Sequence, residues 1–429
     1  MKRKLIYFFS VLAIIACTNE DLPDFTAHEE YSKNAIDSFY VPYETALQHA
    51  LKVLNHDSTA TRASGTERKV SNHYEYVANK ATRSNGDGDT EVRFHVINFE
   101  DNLGFALVSA DSRTTPVYAY SETGNLDIEA ATNSGFGDFM AAAEIYYLNE
   151  INLEIPMLPE LPNDSSPFLP KPTEPIHNLP IVELDGKRYY LGGGDIIYRN
   201  PDGILLNVEW DQGWPYNYYC GLNDNAYSSC NGRNAAGCGP IAAAQIMSYF
   251  KYPTSFAGFT FDWDRITSYT YFYNLTNEAE SAARLINLIG IESNATYGRD
   301  TSTRINNMDD MFITFGYSCT GPINYNVAKA KESLNNSSPI YFRGSDSQSG
   351  HAWVIDAYRQ TDSYYIYYQM DEPYNVYRTI TDIGDTYYHC NWGWSGSYNG
   401  WYLDVFKLPD NTNLSSGRQM IYNITPNNI

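Results

Sequence analysis

Basic residues are scarce in this chain. Lys and Arg number 29 against 51 Asp and Glu, a formal net charge of -22 at pH 7. A surface of that sign repels phosphate, which excludes nucleic acid as a partner held by charge neutralisation. The excess acid reads instead as a solvated, soluble surface. Motifs for metal and nucleotide chemistry are missing too. No HExxH, CxxC or Walker-type loop occurs in the sequence, so no metal and no cofactor is expected. "NGDGDTE" (Asn85 to Glu91) has alternating acids but Thr90 at the sixth position, where a calcium loop needs glycine. It reads as a polar turn ahead of a strand. The apolar run at the N-terminus, Leu5 to Ala16, has 12 residues, too short to span a bilayer.

What that run does fit is a secretory signal, with "MKRK" as its positive start. It ends in "IIAC", Ile14 to Cys17, which resembles the lipobox of bacterial lipoproteins. That resemblance implies export across the inner membrane, lipidation of Cys17 and a place on the outer membrane or cell surface. The alternative is an ordinary signal peptide that contains a cysteine.

A proline-rich stretch, Ile155 to Pro180, divides the rest; it holds eight of the 20 prolines. Such a segment forms neither regular helix nor central strand, so residues 155–200 are expected to be an extended linker and maturation region. Residues 17–154 before it read as an α+β domain. Ala46, Leu47, Ala50, Leu51 and Leu54 have helical spacing, and Val92, Phe94 and Val96 alternate as in a strand. Asn102 to Gly104 makes a turn, Phe105 and Leu107 continue the pattern, and "GFGDFMAAAEIYYLNEI" is a closing helix. No constellation in this half suggests chemistry.

Chemistry belongs to residues 201–429. Five thiols lie there, Cys220, Cys230, Cys238, Cys319 and Cys390, an odd number for a secreted chain. Cys220 and Cys230 flank a turn-rich loop that a disulfide could staple; plain buried thiols fit equally. Cys238 is the candidate nucleophile. It stands between Gly237 and Gly239 ahead of Pro240 and the Ala-rich helix "IAAAQIMSYF". A thiol at a helix N-terminus meets the positive end of the dipole, which favours its thiolate. On this stretch alone a small buried capping residue is as good a reading. A thiolate needs an imidazole to activate it and to protonate a leaving group. After the linker only His351 and His389 remain. His351 opens a strand between Gly350 and Ala352. His389 lies on another strand, with Asn391 on the same face. Asn391 could orient an imidazole, with Trp392 and Trp394 shielding that bond. Spacing favours neither histidine, and either could be a packed core residue. Gln212 reads by itself as a surface amide between Trp210 and Trp214.

"GCGPIAAAQIM", "GHAWVIDAY" and "HCNWGWSGSYNGWY", in this order, resemble the streptopain family of bacterial cysteine peptidases. "VEWDQGWPYN" is similar to the start of that family's catalytic domain and "GFALVSADSRTTPVYAYSETG" to its propeptide. The resemblance implies an α+β fold, a papain-like catalytic domain preceded by an α+β propeptide domain that inhibits it, and endopeptidase activity on protein or peptide substrates. It implies a preference for hydrophobic side chains just before the cleaved bond. Carried over, Cys238 is the nucleophile, His351 its base and acid, and Asn391 the orienting group under Trp392. The Gln212 amide joins the Cys238 N–H in the oxyanion hole. Ala357 and "CGPIA" depart from the family's usual residues beside the site, which bears on substrate preference. Two other classes remain open: a papain-like thiol hydrolase acting as a cell-wall amidase or transglutaminase, and a silent surface-binding lipoprotein.

Overall fold

The computed structural model describes residues 39–56, 68–77, 92–131, 135–152, 179, 181–184, 187–345, 350–370, 376–382, 384–407 and 417–427. The chain divides into Met1–Tyr40 and Val41–Ile429. Of the first unit only residues 39 and 40 are described. The signal and lipobox, the "NGDGDTE" turn and nearly all of the proline-rich stretch lie outside the described residues.

The second unit opens with helix α1 (Tyr43–His56) and strands β1 (Val70–Val77), β2 (Val92–Phe99), β3 (Phe105–Ser109) and β4 (Val117–Ser121). Helices α2 (Ile128–Ala131) and α3 (Gly135–Asn152) come after them. The four strands pair antiparallel in sequence order. Their side chains alternate between two buried faces. Phe94, Val96, Phe105 and Leu107 join Phe136, Phe139 and Ala143 of α3. Ile97, Phe99, Ala106 and Val108 join Ala46, Ala50 and Leu54 of α1. Helical spacing in α1 and period-two spacing in β2 and β3 thus both arise from burial against one sheet. The turn before β3 places Asn102 at φ 55° and Gly104 at φ 107°.

Next come β5 (Ile181–Leu184), β6 (Lys187–Arg199), helix α4 (Cys238–Phe250), the two-residue strands β7 (Ser255–Phe256) and β8 (Phe259–Thr260), and helices α5 (Trp263–Ile266), α6 (Asn277–Glu292) and α7 (Ile305–Thr314). Strand β9 (Tyr317–Asn324), helix α8 (Val327–Asn335) and strands β10 (Ile340–Ser345), β11 (Gly350–Gln369), β12 (Val376–Asp382), β13 (Thr386–Asn391), β14 (Gly400–Leu403) and β15 (Gln419–Pro426) complete the chain. Asn326 and Thr276 cap α8 and α6 through their side chains. The second half packs α4, buried from Gly239 to Ser248, between the other helices and the sheet β14-β13-β11-β10-β15-β9. One antiparallel sheet runs through both halves, because Trp401 and Tyr402 of β14 pair with Tyr120 and Ala119 of β4. The fold is α+β, with a helix carrying the thiol against a sheet carrying the histidines.

One expectation changes. Residues 181–184 and 187–199 are not extended linker but a hairpin, and β6 pairs with β11 from Arg199–Arg359 to Tyr189–Gln369. Prolines end at Pro180, and the segment from Ile181 to Arg199 is rich in β-branched and aromatic residues that favour a ladder. Tyr189 is buried, and Ile366 and Tyr368 pack against Leu179 and Tyr190.

Candidate active site

Cys238 is the first residue of α4. Gly237 before it has φ 95°, which a side chain rarely adopts, and a Cβ on Gly239 would lie 2.2 Å from Thr303 Oγ1. The two glycines are therefore what allows a thiol at this helix mouth. Across from it, His351 is the second residue of β11, opposite Gly344 of β10. Its Nε2 donates to the Trp392 carbonyl at 3.2 Å. A carbonyl only accepts, so Nε2 carries the hydrogen and Nδ1 is left for the thiol.

Burial pushes the Cys238 pKa up, but the charge of His351, its hydrogen bond and the N–H groups of Ala352 and Gly239 outweigh that, and the net direction is down. Burial pulls His351 down, yet the Cys238 charge and hydrogen bond, the Trp392 carbonyl and the Asp138 charge together leave it raised. The other described thiols go the opposite way. Burial pushes Cys220 up to about 12 and Cys319 up to about 11, and raises Cys230 and Cys390. None of the five is in a disulfide.

His389 is elsewhere. Its Nδ1 meets Asp356 Oδ1 at 2.6 Å, and Asp356 Oδ2 accepts from the Leu206 N–H at 3.1 Å. That pair ties β13 and β11 to the chain before the catalytic helix.

Asn391 does not meet the imidazole. Its Nδ2 donates to the Val208 carbonyl at 2.8 Å, and its Oδ1 accepts from the Gly393 N–H at 3.2 Å. The expected Asn–His bond is replaced by the Trp392 carbonyl, because β13 ends at Asn391 with its side chain turned onto the strap 208–212. Trp392 likewise shields no such bond. Its ring packs on Trp353 and Tyr402, each at 5.0 Å between centroids, and its Nε1 donates to the Tyr398 carbonyl. Trp394 stands edge-on to His351 at 6.4 Å.

Gln212 is held beside Cys238 through its backbone. The Ala236 N–H donates to the Gln212 carbonyl at 2.8 Å, two residues before the thiol. Upstream, the Trp210 N–H donates to Gln245 Oε1 of α4 at 2.9 Å. Asp211 bridges to Trp394 and accepts from Ser395 Oγ at 2.5 Å. Among the described residues no cluster of three or more His, Cys, Asp or Glu could hold a metal.

Sequence reasoning missed the groups that α3 brings in. A Cβ on Gly135 would lie 2.6 Å from the Trp392 ring and 2.8 Å from His351 Cδ2, so the start of α3 rests directly on the site. Three residues on, Asp138 Oδ1 accepts from Arg418 Nη2 at 3.0 Å, both side chains nearly buried. The only signal was glycine at positions 135 and 137, where a helix gains nothing from it.

Comparison with known proteins gives this arrangement its class. Residues 210–402 match the Peptidase C10 family, and residues 36–146 match the Spi protease inhibitor family. The chain is 25% identical over 358 residues to the thiol protease/hemagglutinin PrtT of Porphyromonas gingivalis, covering 73% of this chain and 34% of that one. It therefore spans about a third of that relative's length. It is 24% identical over 341 residues to streptopain of Streptococcus pyogenes, covering 70% of this chain and 71% of that one. Among solved structures, prointerpain A of Prevotella intermedia is similar over 81% of this chain and 98% of its own, at 19% identity and TM-score 0.49. The class is a cysteine-type peptidase, a hydrolase made as a zymogen with an inhibitor-type domain ahead of it. Within that class the resemblance to the streptopain family, read first from the motifs, is borne out.

Proposed function

We propose that this chain is a secreted endopeptidase in which Cys238 and His351 form a thiolate–imidazolium pair. The observation that carries the proposal is the contrast among thiols: of the five described, Cys238 alone has a lowered pKa, and the His351 charge is what lowers it most.

In the reaction, the Cys238 thiolate attacks the scissile carbonyl carbon and its oxygen becomes an oxyanion. The Cys238 N–H, free of helical bonding at the first turn, and the Gln212 amide donate to that oxygen, a contribution of roughly 3–4 kcal/mol from one such donor. The His351 imidazolium gives its Nδ1 proton to the leaving nitrogen as the C–N bond breaks, leaving a thioester. Neutral His351 then takes a proton from the water that attacks the thioester; the C–S bond breaks, the free acid leaves and the thiolate–imidazolium pair is restored. The Trp392 carbonyl holds the ring and its tautomer throughout, and Asn391 steadies the strap that carries Gln212.

The direct test is hydrolysis of casein by the purified chain, with and without prior alkylation by iodoacetamide, beside Cys238→Ala. Full activity in either the alkylated protein or the variant would overturn the reading. Anchoring through lipidated Cys17 is supported by the "IIAC" sequence alone. Cys17→Ala should move the protein from the membrane fraction to the soluble one; retention in the membrane would remove the anchor from the proposal.

A further inference from the structure

Three strands set a row beside the thiol. His351 on β11 lies opposite Gly344 on β10. Arg343 pairs with Gln419 on β15, so the next position puts Arg418 beside Gly344. Directly opposed residues project to one face, so His351 and Arg418 flank the bare Gly344, with strands about 5 Å apart. The Asp138 carboxylate fills the space so left. A Cβ on Gly344 would lie 2.1 Å from Asp138 Oδ2 and 3.0 Å from Trp353 Cη2. Arg418 is 8% exposed, rests on the Phe406 ring at 5.0 Å and donates to the carboxylate at 3.0 Å. A nearly buried guanidinium facing a pocket that a glycine keeps open is a built carboxylate cradle.

We infer that this cradle is a substrate subsite, in which Arg418 binds an acidic side chain on the leaving-group side of the cleaved bond, and that Asp138 occupies it in the precursor. The inference rests on the peptidase reading. His351 protonates the leaving amine, so the chain after the scissile bond passes over His351 and onward toward Gly344 and Arg418. At about 3.3 Å per extended residue, the first or second residue beyond the bond reaches the place where the Asp138 carboxylate now sits. Departure of α3 removes that carboxylate and opens the pocket to the substrate's own.

The test uses the full chain, matured, with peptides that differ only in carrying Glu, Gln, Ala or Lys at the first or second position after the bond. The wild type should favour Glu. In Arg418→Gln the ratio of kcat/KM for Glu over Gln peptides should fall about ten- to hundredfold, the usual worth of a hydrogen bond to a charged group. The double variant Asp138→Arg/Arg418→Asp keeps an ion pair in the precursor and should come to favour Lys. A wild type without acidic preference, an unchanged ratio in Arg418→Gln, or a swap that does not invert would overturn the subsite while leaving the peptidase standing. Arg418→Gln that only speeds maturation would reduce the residue to a latch, which also overturns it. A wild type that cuts no peptide would overturn the peptidase reading, and this one with it.

Discussion

Asn391→Ala separates two accounts of what holds the imidazole. In the structure Asn391 is 2% exposed and bonds Val208 and Gly393, while His351 is bonded by the Trp392 carbonyl. Removing the amide strands a buried carbonyl at Val208 and a buried N–H at Gly393. Each unsatisfied group costs about 1–3 kcal/mol, so the variant should lose about 2–6 kcal/mol of stability. The melting temperature should drop by several degrees. Turnover alone cannot discriminate, because a loosened strap would also misplace Gln212. The discriminating assay is the pH dependence of alkylation by iodoacetamide, which tracks the thiolate that His351 maintains. Its acid limb should stay where the wild type has it. An acid limb displaced toward an ordinary thiol, with melting unchanged, would refute the reasoning and return Asn391 to the imidazole.

His351→Ala should abolish peptide hydrolysis and slow alkylation of Cys238 near neutral pH; His389→Ala should retain most turnover and lose stability instead, since it releases Asp356 from its partner. Both are read with one peptide and one melting curve, and a dead His389→Ala beside an active His351→Ala would reverse the assignment. Lowering of the Cys238 pKa and raising of that of His351 both favour the ion pair. The profile of kcat/KM should be a bell whose limbs belong to the pair, falling in acid as the thiolate is protonated and in base as the imidazolium is lost; a single rising limb would contradict it. Maturation cuts between Ile181 and Asn207 should avoid the paired strand β6 and fall instead in the exposed turn around Pro201 and Asp202, with Cys238→Ala accumulating precursor. N-terminal sequencing that begins inside Lys187–Arg199 would show that β6 leaves the sheet first.

The sequence showed the parts of this site that rest on local chemistry. A thiol between two glycines at a helix mouth and a histidine between small residues were legible because backbone strain and close approach leave a residue signature. α1 and β2 were legible from period alone. The errors came where a side chain had two partners to choose from. Asn391 shares a strand face with His389, and nothing in the spacing says that its amide turns to Val208. The Trp392 carbonyl was invisible because every residue has one. Asp138, Gly344 and Arg418 stand far apart in the chain; Gly344 and Arg418 meet through sheet register and Asp138 through the packing of α3, which no local pattern encodes. The hairpin β5–β6 was hidden by the prolines just before it.

On the proposed reading, latency arises from where α3 begins. The His351 charge lowers the Cys238 pKa while α3 is in place, so on that reading the pair is already coupled and only covered. The cover at its centre is Gly135, on which even a methyl group would strike the Trp392 ring at 2.6 Å and the imidazole at 2.8 Å. Around it the seal is broad: Phe136 and Phe139 pack on Tyr402, and Arg359 lies over Tyr120, Tyr387 and Trp401. Gly135→Ala should therefore lift the start of α3 without unfolding either half. Cys238 in that precursor should alkylate faster than in the wild-type precursor, and peptide bonds should be cut sooner after purification. A small reagent compared with a bulky peptide-like one gives the cleaner reading, because the gain should be larger for the bulky one. Equal rates for both reagents in wild type and variant would mean that Gly135 does not gate the site, and that latency resides in the wider contact between the two halves.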